Sequence, residues 1–268
     1  MFLDKDEIKI NNEFIKKGYI VKKIEDLESK NYINNFFINF IKNKFNLKSS
    51  GLSDKYILNN FHKFIKVKDL NKFRVALIHY MNQDKLIREK YFKLGKKYLY
   101  AITGNELVMQ KRINLSIQFP NDKSSLLPIH SDTWSGDSPY EVVLWVPLVN
   151  CYLTKSMYIL PPKYLSEVNK YFSKRSYDVD SEKIFKQFKK KVEWINIKSD
   201  EILIFNQNLP HGNVVNLESE TRWSLNCRFK SVFSPYGDKK IGEFFEPITL
   251  RAISNIGMNY KYPNESKS

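Results

Sequence analysis

Before Gly104 the hydrophobic positions group into helical stretches, at 27–45, 57–65, 73–81 and 87–102. In the second and third of these, apolar residues recur three and four apart, the spacing that puts them on one helix face. Gly18-Tyr19-Ile20-Val21 reads as a short strand near the start. After Gly104 the text becomes strand-like, with candidate strands at 108–119, 141–149, 157–160, 192–197, 201–205 and 223–233. Clusters of Pro, Gly, Asn and Asp separate them. Short helices are expected at 164–172 and 182–189, and a covering helix at 248–258.

A helical front followed by six or more strands predicts an α+β fold, with a jelly-roll or related barrel decorated by helices. The 268 residues suit one large domain. No repeat or Gly/Ser/Pro-rich linker divides it, so a single unit over 1–268 is expected. Within it, 1–104 is mainly a helical flank, 105–235 the strand-rich core and 236–268 a C-terminal extension. Such a chain buries roughly three quarters of its unfolded surface, and needs no covalent staples.

Composition changes this picture little. The net charge of +15 invites a nucleic-acid reading, but of 44 basic residues only seven are Arg, and Lys is spread along the whole chain. Codon bias produces that pattern, whereas nucleic-acid readers concentrate Arg among aromatics on one face. The charge therefore reads as solvated surface, and no nucleic-acid partner is expected, although a positive field would draw in an anionic small molecule. Cys151 and Cys227 have no metal or disulfide-framework spacing and read as reduced thiols of a cytoplasmic protein. The first six residues carry charges where a signal peptide needs apolar ones. The longest apolar run, 142–149, is far short of the ~20 residues that cross a bilayer, so no membrane partner is expected.

Candidate chemistry starts from four histidines. His62 and His79 lie in helical stretches without acidic or Cys partners at metal spacing, and read as ordinary helix histidines. His130 stands in Pro128-Ile129-His130-Ser131-Asp132, after a long strand. Residues two apart in extended chain point to the same side, so His130 and Asp132 can reach one ion. His211, in Leu209-Pro210-His211-Gly212-Asn213, follows another strand and supplies a third ligand. Two imidazoles and one carboxylate suit non-haem Fe(II) with open positions for oxygen. A hydrolytic zinc site uses the same ligand types, so these alone do not fix the metal.

Arg222 lies eleven residues after His211 and opens the last long strand. An antiparallel return would carry it back past the metal, at about the span of a five-carbon diacid. Its planar fork can hold a carboxylate bidentately, which Lys cannot do. Arg228, on the same strand, either meets an anionic substrate group or is structural.

At this point the pattern resembles the Fe(II)/2-oxoglutarate oxygenases, in particular the phytanoyl-CoA dioxygenase-like branch. The matching text is His130-Ser131-Asp132, Leu144-Trp145-Val146-Pro147-Leu148, Tyr158-Ile159-Leu160-Pro161, and His211-Gly212-Asn213 through Asn216 to Arg222. It covers about half the chain in the expected order. The resemblance implies a double-stranded β-helix (jelly-roll, cupin-like) core with a helical N-terminal part. It implies His130, Asp132 and His211 as Fe(II) ligands and catalytic centre, and Arg222 on the distal carboxylate of 2-oxoglutarate. It further implies that Trp145 and Asn213 line the same pocket, that O2 is the oxidant, and that succinate and CO2 are the co-products.

The phrase Asp132-Thr133-Trp134-Ser135-Gly136-Asp137 with Trp145-Val146-Pro147-Leu148 is similar to oxygenases of bacterial surface-carbohydrate and aminoglycoside gene clusters. That implies carbohydrate biosynthesis and a small polar substrate, sugar-like or anionic. Asp132 is present, whereas relatives that halogenate lack this carboxylate, so hydroxylation or a related oxidation is implied. Two positions depart from the family's pattern: Pro161-Pro162-Lys163-Tyr164 replaces a Pro-Gly-Ser-His turn, and Asn213 stands where Ser is common.

Candidate substrate contacts are Arg112, Asn114 and Gln118, along one face of the strand before the metal loop, with Trp134, Tyr140 and Arg228. Two other readings stay open at this stage. One is a zinc-dependent hydrolase or jelly-roll isomerase, with Asp137 or Glu141 folded nearby as base. The other is a basic, non-enzymatic module for nucleic acid or anionic glycan, with steep salt dependence.

Overall fold

The computed structural model describes residues 2–173 and 180–263. Five helices precede the main run of strands: α1 (Lys5–Lys17), α2 (Leu27–Lys44), α3 (Asp54–Asn59), α4 (Val67–Gln83) and α5 (Ile87–Thr103), with β1 (Tyr19–Lys23) between the first two. Local chemistry sets their ends. Asp4 and Glu7 form a reciprocal capping box at the start of α1, Asp26 caps α2 and Ser53 caps α3. Gly104 closes α5 at the point where the hydrophobic pattern changes character.

The strands are β2 (Leu107–Gln110), β3 (Asn114–Gln118), β4 (Val142–Pro147), β5 (Tyr158–Ile159), β6 (Glu193–Trp194), β7 (Glu201–Asn206), β8 (His211–Gly212), β9 (Arg222–Ser231) and β10 (Phe245–Pro247). Two short helices, α6 (Leu165–Ser173) and α7 (Ser181–Phe188), interrupt the series, and α8 (Ala252–Met258) follows it. An antiparallel major sheet runs β1-β7-β4-β9-β2-β10, with β3 also on β9, and a minor sheet runs β6-β5-β8. This is an α+β fold with a jelly-roll core, as the resemblance implies.

The major sheet separates helices from cavity, and the separation is written into alternate positions. Along β9, Trp223, Leu225, Cys227 and Phe229 are fully buried. Trp223 packs against Phe61 at 4.9 Å between ring centroids and donates to Leu58 O of α3 at 3.0 Å. Phe229 meets Phe92 of α5, and in β4 the Leu144 carbonyl accepts from Tyr91 of α5 at 2.6 Å. Each fully buried large apolar side chain contributes roughly 1.5–3 kcal/mol, so this interface fixes which face of β9 looks away from the helices. Arg222, Ser224, Asn226 and Arg228 then face the cavity by necessity.

Four sequence expectations need correction. The stretch 108–119 is two strands, because four residues, 110–113, oppose only Cys227 and Arg228 between the pairs Met109–Phe229 and Asn114–Asn226. That is a bulge, which re-aims the strand. The stretch 57–65 is α3 followed by a single 3-10 turn, Phe61–Lys63. The expected covering helix covers nothing: no α8 residue is buried, and Ile253 and Ile256 are exposed. Finally α1, β8 and β10 were not expected, the strands being two and three residues long. Cys151 and Cys227 are free and buried, and no helix among the described residues is long and apolar enough to cross a membrane.

Candidate metal centre

His211 lies in β8 and His130 extends the same minor sheet beyond it. The two residues form an antiparallel pair, His130 N donating to His211 O at 3.0 Å and His211 N to His130 O at 2.8 Å. Directly opposed residues present their side chains on one side, and the imidazole centroids are 4.3 Å apart. Asp132, two residues after His130, is held by its backbone N–H on Gln207 O at 3.2 Å. The candidate ligand atoms of His130, Asp132 and His211 all lie within 4.8 Å of one another.

Both rings are oriented by the same device. His130 Nδ1 bonds Pro128 O at 2.8 Å and His211 Nδ1 bonds Leu209 O at 2.9 Å. A carbonyl only accepts, so each Nδ1 carries a proton, which leaves Nε2 as the nitrogen that offers a lone pair to an ion in the neutral imidazole. Burial, with His130 adjacent, pushes the pKa of His211 down to about 4, which favours the ligand form. Gly212 is required by close approach: a Cβ there would lie 2.8 Å from Leu127 O and 2.7 Å from the Tyr158 hydroxyl.

These ligands open onto a cavity of about 440 Å³. Its floor is apolar, from Val143 and Trp145 of β4, Met157 and Phe205. Its polar wall is Asn114 and Ser116 of β3 with Arg222, Ser224, Asn226 and Arg228 of β9. Arg222 is only 4% exposed. It donates from Nη2 to Ser116 Oγ at 3.0 Å and from Nη1 to Ser156 O at 3.3 Å. Among the described residues its Nε has no partner, and no carboxylate pairs with it. Burial lowers its pKa to about 10, so it stays charged at neutral pH. Ser224 Oγ is also buried without a partner among the described residues. Such a buried cation needs a counter-charge.

The other expected residues divide. Trp145 lines the cavity as expected. Asn213 lines it too, but its side chain is occupied, accepting from Leu127 N at 2.7 Å and donating to Ser125 O at 3.3 Å. Among the substrate candidates, Asn114 reaches the cavity and donates to Asn226 Oδ1 at 2.9 Å. Gln118 is buried and donates to Val214 O, and Arg112 is exposed in the bulge. Trp134 packs edge-on against Phe172, and Tyr140 lines a different, smaller cavity. None of these four lines the cavity with the metal ligands.

Arg228 is paired with Asp132 at 3.0 Å and Asp137 at 2.9 Å. Asp137 and Glu141 do not line the cavity, and Glu141 accepts from Gln207 at 2.9 Å. Neither is placed as a general base. Sequence reasoning missed Ser116, Ser224 and Asn226, although the alternation Arg-Trp-Ser-Leu-Asn-Cys-Arg-Phe over 222–229 is a legible signal for them.

No protein-family model and no curated protein matches the chain. Solved structures do resemble it. ThoJ, a non-heme monooxygenase in complex with nickel, gives a TM-score of 0.55 at 12% identity, covering 91% of this chain and 85% of its own. EvdMO1 gives 0.52 at 13% identity, covering 84% of this chain and 50% of its own. AviO1 from Streptomyces viridochromogenes Tue57 gives 0.50 at 14% identity, over 88% and 99%. At such identities the likeness carries the fold.

Proposed function

We propose that this chain, acting as one unit over residues 1–268, is an Fe(II)- and 2-oxoglutarate-dependent oxygenase. It hydroxylates or otherwise oxidises a small polar substrate, a sugar or sugar conjugate, in carbohydrate biosynthesis. The observation that carries this reading is a pairing within one cavity: a two-His, one-carboxylate cluster and a buried guanidinium with no carboxylate partner among the described residues. A hydrolytic zinc centre leaves Arg222 unexplained, whereas a dicarboxylic co-substrate held at the metal site would supply the missing counter-charge. The nickel ion of ThoJ is in keeping with this donor class.

His130 and His211 would hold the iron through Nε2, and Asp132 through one carboxylate oxygen. Three ligands on one side leave positions open. When bound, Fe(II) with 2-oxoglutarate and O2 supplies the two-electron oxidation of a substrate C–H bond, coupled to decarboxylation of the co-substrate to succinate.

The protein's own work is positioning and exclusion of water. Arg222 takes the distal carboxylate, Ser116 steadies Nη2, and the Ser224 hydroxyl is free to donate to the same group. Met157, next to the Ser156 carbonyl that Arg222 meets, with Trp145, Val143 and Phe205 further along towards the ligands, gives the cavity an apolar side that excludes water. Asn213 ties down the 125–127 segment instead of reading the co-substrate. Substrate meets neutral amides, Asn114 and Asn226, because Arg228 is already committed to two carboxylates. This favours a neutral hydroxylated substrate over an anionic one.

The test is aerobic incubation with Fe(II), 2-oxoglutarate and a panel of sugars and nucleotide sugars, with succinate quantified. Succinate above the substrate-free background is expected with at least one panel member. Unchanged 2-oxoglutarate throughout, with and without sugars, contradicts the reading.

A further inference from the structure

Asp137 lies outside the cavity lining, yet its side chain is 1% exposed and it carries two cations. Arg228 Nη1 meets its Oδ2 at 2.9 Å, and Lys239 Nζ meets its Oδ1 at 2.6 Å. The other nitrogen of the same guanidinium, Nη2, meets Asp132 Oδ1 at 3.0 Å. A chain of charges Lys239–Asp137–Arg228–Asp132 thus runs from the segment after β9 to the candidate metal ligand. The segments that carry Asp137 and Lys239 are also tied directly: Asp238 N donates to Gly136 O at 2.9 Å, and Ser138 Oγ to Pro235 O at 2.5 Å.

A guanidinium beside a ligand carboxylate opposes metal binding in two ways. Its fork can take both carboxylate oxygens, and its charge repels an incoming cation. A second carboxylate on the other nitrogen removes the first of these effects, since it divides the fork. We propose, building on the metal reading above, that Asp137 is a positioning residue for the metal centre. It shares Arg228 with Asp132, limits Arg228 to one nitrogen on Asp132, and so leaves Asp132 able to ligate while still held in place. Lys239 balances Asp137, which would otherwise be a buried excess charge.

The test is anaerobic Co(II) titration, followed by visible absorption without co-substrate, on the wild type, Asp137→Asn, Arg228→Gln and the double variant. Asp137→Asn is expected to raise the Co(II) dissociation constant about tenfold or more, the usual scale for groups that orient a ligand. In the Arg228→Gln background the same change is expected to matter by no more than about twofold, because the group through which Asp137 acts is gone. Should Asp137→Asn fail to fold, Asp137→Glu keeps the charge while displacing the carboxylate, and the same background dependence is expected.

Equal losses in both backgrounds, or no loss in either, overturn the inference while leaving the metal reading standing. A wild-type chain that takes up no Co(II) overturns the metal reading, and this inference with it.

Discussion

Arg222 donates to Ser116 across β3 and β9 at 3.0 Å, and the pair lines the cavity that the three candidate ligands also line. A hydroxyl orients a guanidinium but does not neutralise it, so Arg222 is held ready at a cost in stability. Arg222→Met, of similar length and apolar, is therefore expected to leave thermal stability unchanged or raise it by about 1–4 kcal/mol. The same variant is expected to lose 2-oxoglutarate binding. Arg222→Lys, which keeps the charge but not the fork, should weaken that binding at least ~10-fold while sparing metal uptake. Thermal melts and co-substrate titrations check both. A large destabilisation by Arg222→Met with co-substrate binding intact would show that Arg222 serves the fold.

His211 is buried beside His130, which gives the metal-free protein a defined acid response. Its folded pKa, about 4, lies below the ordinary imidazole value of 6.5. The unfolded chain therefore binds the extra proton first. The stability contributed by neutral His211 is complete above about pH 6.5 and is lost as pH falls towards 4. Urea midpoints of the metal-free protein should fall across that window, and His211→Gln should flatten the fall. An unchanged slope in the variant would assign the acid response elsewhere.

Gly18 links the first helix to the metal loop. It ends α1 at φ 76°, in the left-handed region, and its carbonyl accepts from Asn206 N at 2.9 Å. An added Cβ would overlap Leu209 Cδ1, two residues before His211 and next to the residue whose carbonyl pairs with Leu160. Gly18→Ala is expected to cost about 1–2 kcal/mol from backbone conformation alone, with more from the overlap. It should also weaken Co(II) binding severalfold, because the push is delivered to the His211 loop. Chemical denaturation and metal titration measure the two effects separately.

The parts of the fold legible in the sequence were the long apolar-rich runs bounded by turn residues. Helices α2 and α5 and strands β4, β7 and β9 stand within a residue or two of their expected places, because runs of this length must be buried, β4 on both faces. Strands β8 and β10, of two and three residues, were illegible because no period can be read over so short a run. The bulge at 110–113 was hidden as well, since Val108 to Phe119 reads as one apolar-rich strand and only pairing with β9 reveals the extra residues.

At the site, His130, Asp132, His211 and Arg222 stood out by residue type and spacing, and the structure gathers all four around one cavity. What sequence could not give was which polar groups are already spoken for. Arg228 and Asn213 look available in the text, yet Arg228 is bound by two carboxylates and Asn213 by two backbone groups. Arg112 and Gln118 share a parity with Asn114, but the bulge removes the first from the strand, and the cavity wall ends before the second.

Whether Fe(II) and 2-oxoglutarate meet at His130, Asp132 and His211 is read from the visible spectrum of the protein after both are added without oxygen. Chelation of Fe(II) by a 2-oxo acid is expected to give a weak charge-transfer band that needs both components. The band should be absent in His130→Ala and Asp132→Ala, and should require more 2-oxoglutarate in Arg222→Lys. A wild-type protein that gives no band, yet binds Zn(II) tightly at the same residues, would contradict the account.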